Sequence, residues 1–184
     1  ESLRVPGSLD LLQKLRQQDI HYCGFLYCGL MWTDTGPKVI EFNVRLGDPE
    51  AQALAVSDKR DWLSLILSIM DSSKSVTAPS LTQDKAVAIV MASNDYPYCE
   101  PKPLDHNSTI PSNYFTNEQA PYCFGASLQT VENKLHPKQG RILTVVGKDP
   151  HNLKDARLSS LSLIKEIEKF WPTSLWRSDI AQKV

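Results

Sequence analysis

Two neighbouring strand-like segments, joined by a short polar turn, constrain the fold of this chain more than any other feature. Residues 22–32 (YCGFLYCGLMW) are almost wholly apolar and rich in aromatic side chains, a pattern typical of a strand buried on both faces. Residues 33–36 (TDTG) predict a turn, and residues 37–46 (PKVIEFNVRL) predict a second strand. Together the two segments predict a β-hairpin.

The second predicted strand carries polar groups on one face. Side chains alternate between faces with a period of two, so Glu41, Asn43 and Arg45 share one face and the apolar residues between them share the other. Mg2+ takes oxygen ligands from one or two side chains and leaves the remaining positions to phosphates and water. Glu41 and Asn43 are therefore candidate ligands of a metal ion that bridges nucleotide phosphates. The alternative is a solvated strand face that binds nothing.

The next residues, 47–50 (GDPE), predict the start of a helix. Asp48 is the expected N-cap, Pro49 the first helical residue and Glu50 an acid of the first turn. Free backbone N–H groups at a helix start also bind anionic substrate groups. For Asp48 and Glu50 the sequence leaves both a structural role and a substrate contact open.

A change of composition divides the chain into two parts. Residues 71–84 (DSSKSVTAPSLTQD) are rich in Ser, Thr and Pro and predict a linker, with a domain boundary near Ala78. The expected domains are therefore 1–78 and 79–184. Helices are predicted over 9–15, 51–56, 62–70 and 153–170, the last capped by Asn152, and further strands over 85–93, 120–128, 130–135 and 140–147. The expected fold class is α+β.

Charge and composition exclude several classes of function. The 20 Lys and Arg balance 21 Asp and Glu, so we expect no nucleic-acid partner. No apolar run reaches the length of a membrane span, and the first twenty residues carry charges throughout, so neither a membrane span nor a signal peptide is expected. The four cysteines form no CxxC pair, which favours reduced, buried cysteines in a cytoplasmic protein. The four histidines fall in turns or at element ends and are expected at the surface.

Residues 22–31 (YCGFLYCGLM) and 36–52 (GPKVIEFNVRLGDPEAQ) closely resemble the glycinamide ribonucleotide synthetase family (phosphoribosylamine–glycine ligases), ATP-grasp enzymes of purine biosynthesis. The run RLGDPEAQ matches the signature of that family at every fixed position. Weaker similarity is found at 92–97 (ASNDYP), 140–147 (GRILTVVG) and 176–180 (WRSDI). The resemblance covers the C-terminal half of the family: the end of the ATP-grasp domain in 1–78 and the small C-terminal domain in 79–184.

This resemblance implies an ATP-dependent carboxylate–amine ligase. The reaction would join glycine to phosphoribosylamine through a glycyl phosphate and give glycinamide ribonucleotide, ADP and phosphate. Glu41 and Asn43 would be ligands of Mg2+ or Mn2+, and Arg45 a catalytic and substrate-binding residue near the transferring phosphoryl group. Asp48 and Glu50 are further substrate-binding candidates. The implied partners are ATP, glycine, phosphoribosylamine and the N-terminal half of the same enzyme, without which the 184 residues are expected to be inactive.

Three turns depart from the pattern of the family. Asp95 stands where the family has glycine before Tyr-Pro, Gln139 stands at the first glycine of GGR, and residues 124–127 (FGAS) replace FHAGT. We expect either a positive φ at Asp95 or a rearranged turn. Two alternatives to the ligase therefore remain: a degenerate, non-catalytic nucleotide-sensing or interaction module, and an ATP-grasp ligase with another acceptor.

Overall fold

The computed structural model describes residues 8–71, 84–98, 108–115 and 122–183. By their contacts these residues form two compact units. The described residues up to Gly47 and those from Arg60 to Asp71 form the first unit, and Asp48–Lys59 with the described residues from Asp84 onward form the second. This division differs from the linear one, because Asp48–Lys59 packs with the second unit. Ala78 and residues 72–83, the centre of the predicted linker, lie outside the described residues.

Helices and antiparallel strands occur in both units, in agreement with an α+β fold. The helix predicted over 62–70 is confirmed at both ends, and those predicted over 9–15, 51–56 and 153–170 are confirmed with shifted ends. In chain order the elements are α1 (Ser8–Gln17), β1 (Tyr27–Thr33), β2 (Gly36–Asn43), α2 (Glu50–Ser57), α3 (Trp62–Met70), β3 (Lys85–Ala92), β4 (Ile110–Pro111), β5 (Cys123–Gly125), β6 (Leu128–Val131), β7 (Lys134–Pro137), β8 (Arg141–Asp149), α4 (Leu153–Glu168) and β9 (Leu175–Trp176).

The predicted hairpin is confirmed in the first unit. β1 and β2 pair antiparallel from Tyr27 opposite Asn43 to Thr33 opposite Gly36. Gly36 has a φ of 95°, a conformation that glycine adopts without the steric cost of a side chain. The register shifts between Gly29 and the next residue, so the chain contains a β-bulge there.

The first strand is shorter and more exposed than the sequence predicts. It begins at Tyr27, because Gly24 has a φ of 143° and the Tyr22 hydroxyl donates to the Phe25 carbonyl, which interrupts the extended chain. The prediction that this strand is buried on both faces is wrong: only Gly29 of β1 is buried, and Trp32 is 73% exposed. A two-stranded ribbon buries only what other elements cover.

The second unit holds the main hydrophobic core. A four-stranded sheet in the order β5-β8-β3-β9 packs against α4, and a three-stranded sheet has the order β4-β7-β6. The predicted strands over 85–93 and 140–147 are confirmed as β3 and β8. The fully buried core side chains include Ile89, Met91, Ile110, Leu143, Val145, Ile164, Ile167 and Trp171.

Two predictions for the region of β6 and β7 are wrong. The strand expected over 130–135 is not continuous, because Glu132 and Asn133 both have positive φ and reverse the chain between the end of β6 and the start of β7. His136, expected at the surface, is 3% exposed, since its position in β7 turns the side chain inward. His21 and His151 are exposed as predicted, and His106 lies outside the described residues.

Helix α4 begins at the predicted cap and meets the sheet through small residues. The Asn152 side chain accepts a hydrogen bond from the Asp155 N–H and so caps the helix. Further along, the buried Ser160 hydroxyl donates to the Val87 carbonyl at 2.7 Å and accepts from the Gly147 N–H at 2.7 Å. A Cβ on Gly147 would stand 2.0 Å from the Ala156 carbonyl oxygen. Only glycine therefore fits at this helix-sheet contact.

We predict that Gly147→Ala destabilises the second unit strongly. The added methyl group would meet backbone atoms of α4 rather than a flexible side chain, so helix and sheet must separate, at a cost of about 3 kcal/mol or more. Urea denaturation followed by circular dichroism measures the loss. Gly125→Ala is the matched control, because its Cβ would lie 3.0 Å from the end of the Leu128 side chain, which is able to move. Equal unfolding midpoints for the two variants would show that α4 has room to shift.

Candidate functional site

Glu41 and Asn43 lie on the same face at the end of β2. The Asn43 Nδ2 donates to Glu41 Oε1 at 2.9 Å, which confirms the shared face predicted from the period of two. Gly29 lies opposite Glu41 in the hairpin, and a Cβ at Gly29 would be 3.1 Å from Glu41 Cγ. The glycine therefore leaves room for the Glu41 side chain, a role that the sequence analysis did not assign.

Arg45 does not continue the face of the strand. β2 ends at Asn43, which pairs with the first residue of β1, so no partner residue extends the ladder further. The prediction that Arg45 shares the strand face with Glu41 and Asn43 is wrong for this reason. Its Nη1 donates to the Leu46 carbonyl at 2.8 Å, and its side chain is exposed.

Asp48 is not the N-cap of α2, and that prediction is also wrong. The helix begins at Glu50, the cap position is held by Pro49, and no side chain caps the helix. Asp48 Oδ1 instead accepts a hydrogen bond from Gln52 Nε2 at 2.9 Å, and its Oδ2 lies 3.2 Å from Arg141 Nη2. Its carbonyl oxygen accepts from Arg141 Nη1 at 2.8 Å. These partners hold the carboxylate, and among the described residues it accepts no hydrogen bond from the backbone N–H groups at the helix start.

Glu50 lies in the first turn of α2, as predicted. An acid there interacts favourably with the positive end of the helix dipole. The five predicted site residues thus fall into two sets: Glu41, Asn43 and Arg45 belong to the first unit, and Asp48 and Glu50 to the second.

Two of the three divergent turns are held by hydrogen bonds to other segments of the second unit. The Ser93 N–H donates to the Gly140 carbonyl, and the Gly140 N–H donates to the Ser93 hydroxyl, both at 2.9 Å. The Ala126 N–H donates to the Ile142 carbonyl at 2.9 Å. Asp95 is absent from the described residues with positive φ, so the expectation of a left-handed conformation there is wrong, and the rearranged turn stays a prediction.

The WRSDI segment has a structural explanation. Arg157 of α4 donates to the carbonyls of Ser178 and Ile180, and Arg177 forms a bidentate pair with Asp179 at 2.5–2.9 Å. These bonds hold the chain after β9 against the helix. The segment therefore needs no ligand to account for its residues.

The clearest pKa shifts in the second unit belong to groups that the sequence did not single out. Burial raises the pKa of the Cys123 thiol to about 12, which keeps it neutral and unreactive. A hydrogen bond from Lys148, supported by Lys59, lowers the pKa of Asp84.

The expectation of reduced, buried cysteines is confirmed in part. Cys23, Cys28 and Cys123 are all free thiols as expected, but Cys23 of the first unit is exposed.

The chemistry of Glu41 and Asn43 fits a hard divalent cation. They supply a carboxylate and an amide carbonyl, and their mutual hydrogen bond involves neither Glu41 Oε2 nor Asn43 Oδ1. In the part of the chain that the structure describes, no group of three or more His, Cys, Asp or Glu residues is arranged to hold a metal. The donor set therefore suits Mg2+ or Mn2+ sharing its coordination with phosphates and water, rather than a closed structural metal site.

Comparison with known proteins assigns a class to this region. Residues 9–51 match the family model of the phosphoribosylglycinamide synthetase ATP-grasp (A) domain, a range that includes Glu41, Asn43, Arg45, Asp48 and Glu50.

Among the described helices, none combines the length and apolar character required to cross a membrane.

Three related proteins show how far the similarity extends along the chain. The chain is 33% identical to the phosphoribosylamine–glycine ligase of Rhodopirellula baltica over 87% of this chain, and 34% identical to that of Haemophilus influenzae over 88%. It is 37% identical over 73% of its length to the trifunctional purine biosynthetic protein adenosine-3 of Gallus gallus. The chain spans 36% of each of the two ligases and 13% of the trifunctional protein.

A solved structure supports the fold. The crystal structure of the phosphoribosylamine–glycine ligase from Thermotoga maritima superposes with a TM-score of 0.64 at 22% identity, covering 97% of this chain and 43% of that one. The chain is therefore similar to phosphoribosylamine–glycine ligases along most of its own length.

Proposed function

We propose that this chain is the C-terminal part of an ATP-dependent phosphoribosylamine–glycine ligase. In this proposal residues 1–78 end the ATP-grasp domain and residues 79–184 form the small C-terminal domain. The observation that carries the proposal is the pair of oxygen donors, Glu41 and Asn43, in contact on one strand face inside the segment that matches the ATP-grasp model. The substrates are ATP, glycine and phosphoribosylamine, and the site of action is the cytoplasm.

The proposed chemistry assigns each site residue a task. Glu41 and Asn43 would hold Mg2+ or Mn2+, and the bound cation would supply charge that neutralises the phosphates of ATP. Arg45 offers a planar guanidinium to the phosphoryl group that passes to the glycine carboxylate. The amine of phosphoribosylamine then displaces phosphate, and Asp48 and Glu50 contact substrate near the start of α2. Phosphoryl transfer of this kind depends on positioning and on stabilising charge, which exposed, polar side chains can provide.

The exposed apolar side chains of the first unit support a further partner, the N-terminal half of the same enzyme. Trp32 of β1, Val44 after β2 and Met70 of α3 are each more than 70% exposed. Exposed apolar surface of this extent marks an interaction site. The remaining part of an ATP-grasp ligase is the partner that fits, because the matched segment carries oxygen donors for a metal and this chain spans only 36% of the related ligases.

The two other hypotheses make different demands. A non-catalytic sensing or interaction module has no need of the Glu41 and Asn43 pair, whose contact favours the ligase. The departure from glycine at Asp95 favours the module, and this residue lies in the second unit. A ligase with another acceptor would keep the same metal pair and differ in the substrates that support phosphate release.

We predict that Glu41→Ala in the full-length protein abolishes metal-dependent turnover and leaves the fold intact. Turnover should fall by several powers of ten, roughly, because the phosphate charge is no longer neutralised at this position. Mn2+ affinity measured by isothermal titration in the presence of ATP should fall with it. Glu166→Ala removes an equally exposed carboxylate from α4 and is the matched control. Activity within about threefold of the parent would remove Glu41 from the metal site.

Arg45→Lys is expected to be costly although the charge is kept. An ammonium group lacks the planar fork that binds two phosphate oxygens at once. We expect kcat to fall at least tenfold, roughly, with little change in Tm, because the side chain is exposed and, among the described residues, donates to the neighbouring Leu46 carbonyl. A Lys variant as active as the parent would reduce Arg45 to a simple positive charge.

The experiment that tests the function itself uses the 184 residues and the N-terminal half of the enzyme as two separate proteins. We predict that the 184 residues alone bind ATP weakly, self-associate and release no phosphate, because an ATP-grasp site closes between two lobes. Mixing them with a separately expressed N-terminal half should give phosphate release that requires both glycine and phosphoribosylamine. Turnover by the 184 residues alone would contradict the two-lobe argument. A full-length protein that shows no turnover with any acceptor would favour the non-catalytic module.

A further inference from the structure

We infer that Arg141 is a positioning residue that fixes Asp48 for its contact with substrate, an inference that rests on the function proposed above. The guanidinium contacts Asp48 twice: Nη1 donates to the backbone carbonyl at 2.8 Å, and Nη2 lies 3.2 Å from the carboxylate Oδ2. The two residues are 93 positions apart in the sequence. One side chain therefore fixes both the backbone and the side chain of Asp48.

Arg141 projects from a rigid part of the second unit. It begins β8, where its backbone pairs with Ala92 at the end of β3. The two residues that follow it, Ile142 and Leu143, are buried in the core. Gly140 before it is held by two hydrogen bonds to Ser93. The guanidinium is thus anchored to the sheet, and the loop residue Asp48 is the part that would otherwise move.

A second side chain completes the orientation of the carboxylate. Gln52 of α2 donates to Asp48 Oδ1, so within the described residues each carboxylate oxygen has one partner. A carboxylate oxygen has two acceptor positions, which leaves one on each oxygen. The Asp48 side chain is 40% exposed, so these positions are accessible from solvent. An acceptor fixed in this way suits the N–H groups of an amine, and both glycine and phosphoribosylamine carry one.

The Arg141–Asp48 pair is partly exposed, which indicates that Arg141 positions Asp48 rather than stabilises the fold. Exposed ion pairs add little to the free energy of unfolding because solvent screens them. A guanidinium fork still imposes a geometry that lysine cannot reproduce, since an ammonium does not reach a carbonyl and a carboxylate along two parallel bonds. Loss of Arg141 should therefore alter the order of residues 46–50 and the use of substrate more than it alters Tm.

The test uses Arg141→Gln, Arg141→Lys, Asp48→Asn and the Arg141→Gln/Asp48→Asn double variant in the full-length protein. We expect Arg141→Gln to raise KM for one of the two amine substrates about tenfold, with a smaller effect on kcat. Amide exchange at residues 46–50 should become faster, while exchange in β3 and β8 and Tm stay unchanged. For Arg141→Lys, KM and the rate of amide exchange should lie between those of the parent and those of Arg141→Gln. Arg177→Gln breaks a comparable exposed Arg-Asp pair of the same unit and is the matched control.

The double variant decides how Arg141 acts. If it acts through Asp48, Arg141→Gln adds little to the effect of Asp48→Asn. Additive losses would overturn the inference and show that Arg141 contacts substrate itself. Unchanged exchange at residues 46–50 would overturn it as well, and would do so even if the full-length protein proved to have no ligase activity. In that case faster exchange in Arg141→Gln would still establish the fixation of Asp48, while the proposed function would fail on its own assay.

Discussion

The pairing of β3 with β8 and the packing of α4 across both strands is the interaction on which the second unit depends. At its centre Gly147 lets the helix backbone approach the sheet, and the Ser160 hydroxyl bridges the two strands by bonding Val87 and Gly147. Each of these buried polar groups has a hydrogen-bond partner, so the bonds offset the cost of removing the groups from water. The same pairing sets Arg141 at the edge of the sheet, where it reaches Asp48. One strand, β8, therefore takes part both in the packing contact with α4 in the core and in the polar contact with Asp48 at the surface.

The sequence predicted those features whose cause is local. The 3.6-residue period and the capping Asn152 located α4, and the apolar runs located β3 and β8. The alternation of side chains placed Glu41 and Asn43 together, because both lie within one strand. These predictions needed no information about distant residues.

Several predictions failed because distant partners decide the local structure. Asp48 has the composition of an N-cap, but Arg141, far along the chain, takes its carboxylate, and no local pattern contains that information. Arg45 leaves the face of β2 because β1 supplies no further partner residue. His136 is buried by the sheet that forms around it. In each case a tertiary contact outweighed a local preference.

The contacts of Asp48 with Gln52 and Arg141 explain the spacing of residues within the run RLGDPEAQ. It covers the passage of the chain from the first unit to the second, which falls between Gly47 and Asp48. Gly47, the last residue before that passage, is buried. Asp48 and Gln52 are four residues apart, and an inserted or deleted residue between them would turn Gln52 to another side of α2 and remove its bond to the carboxylate. The spacing of the run is thus fixed by the orientation of one carboxylate, which requires α2 on one side and β8 on the other.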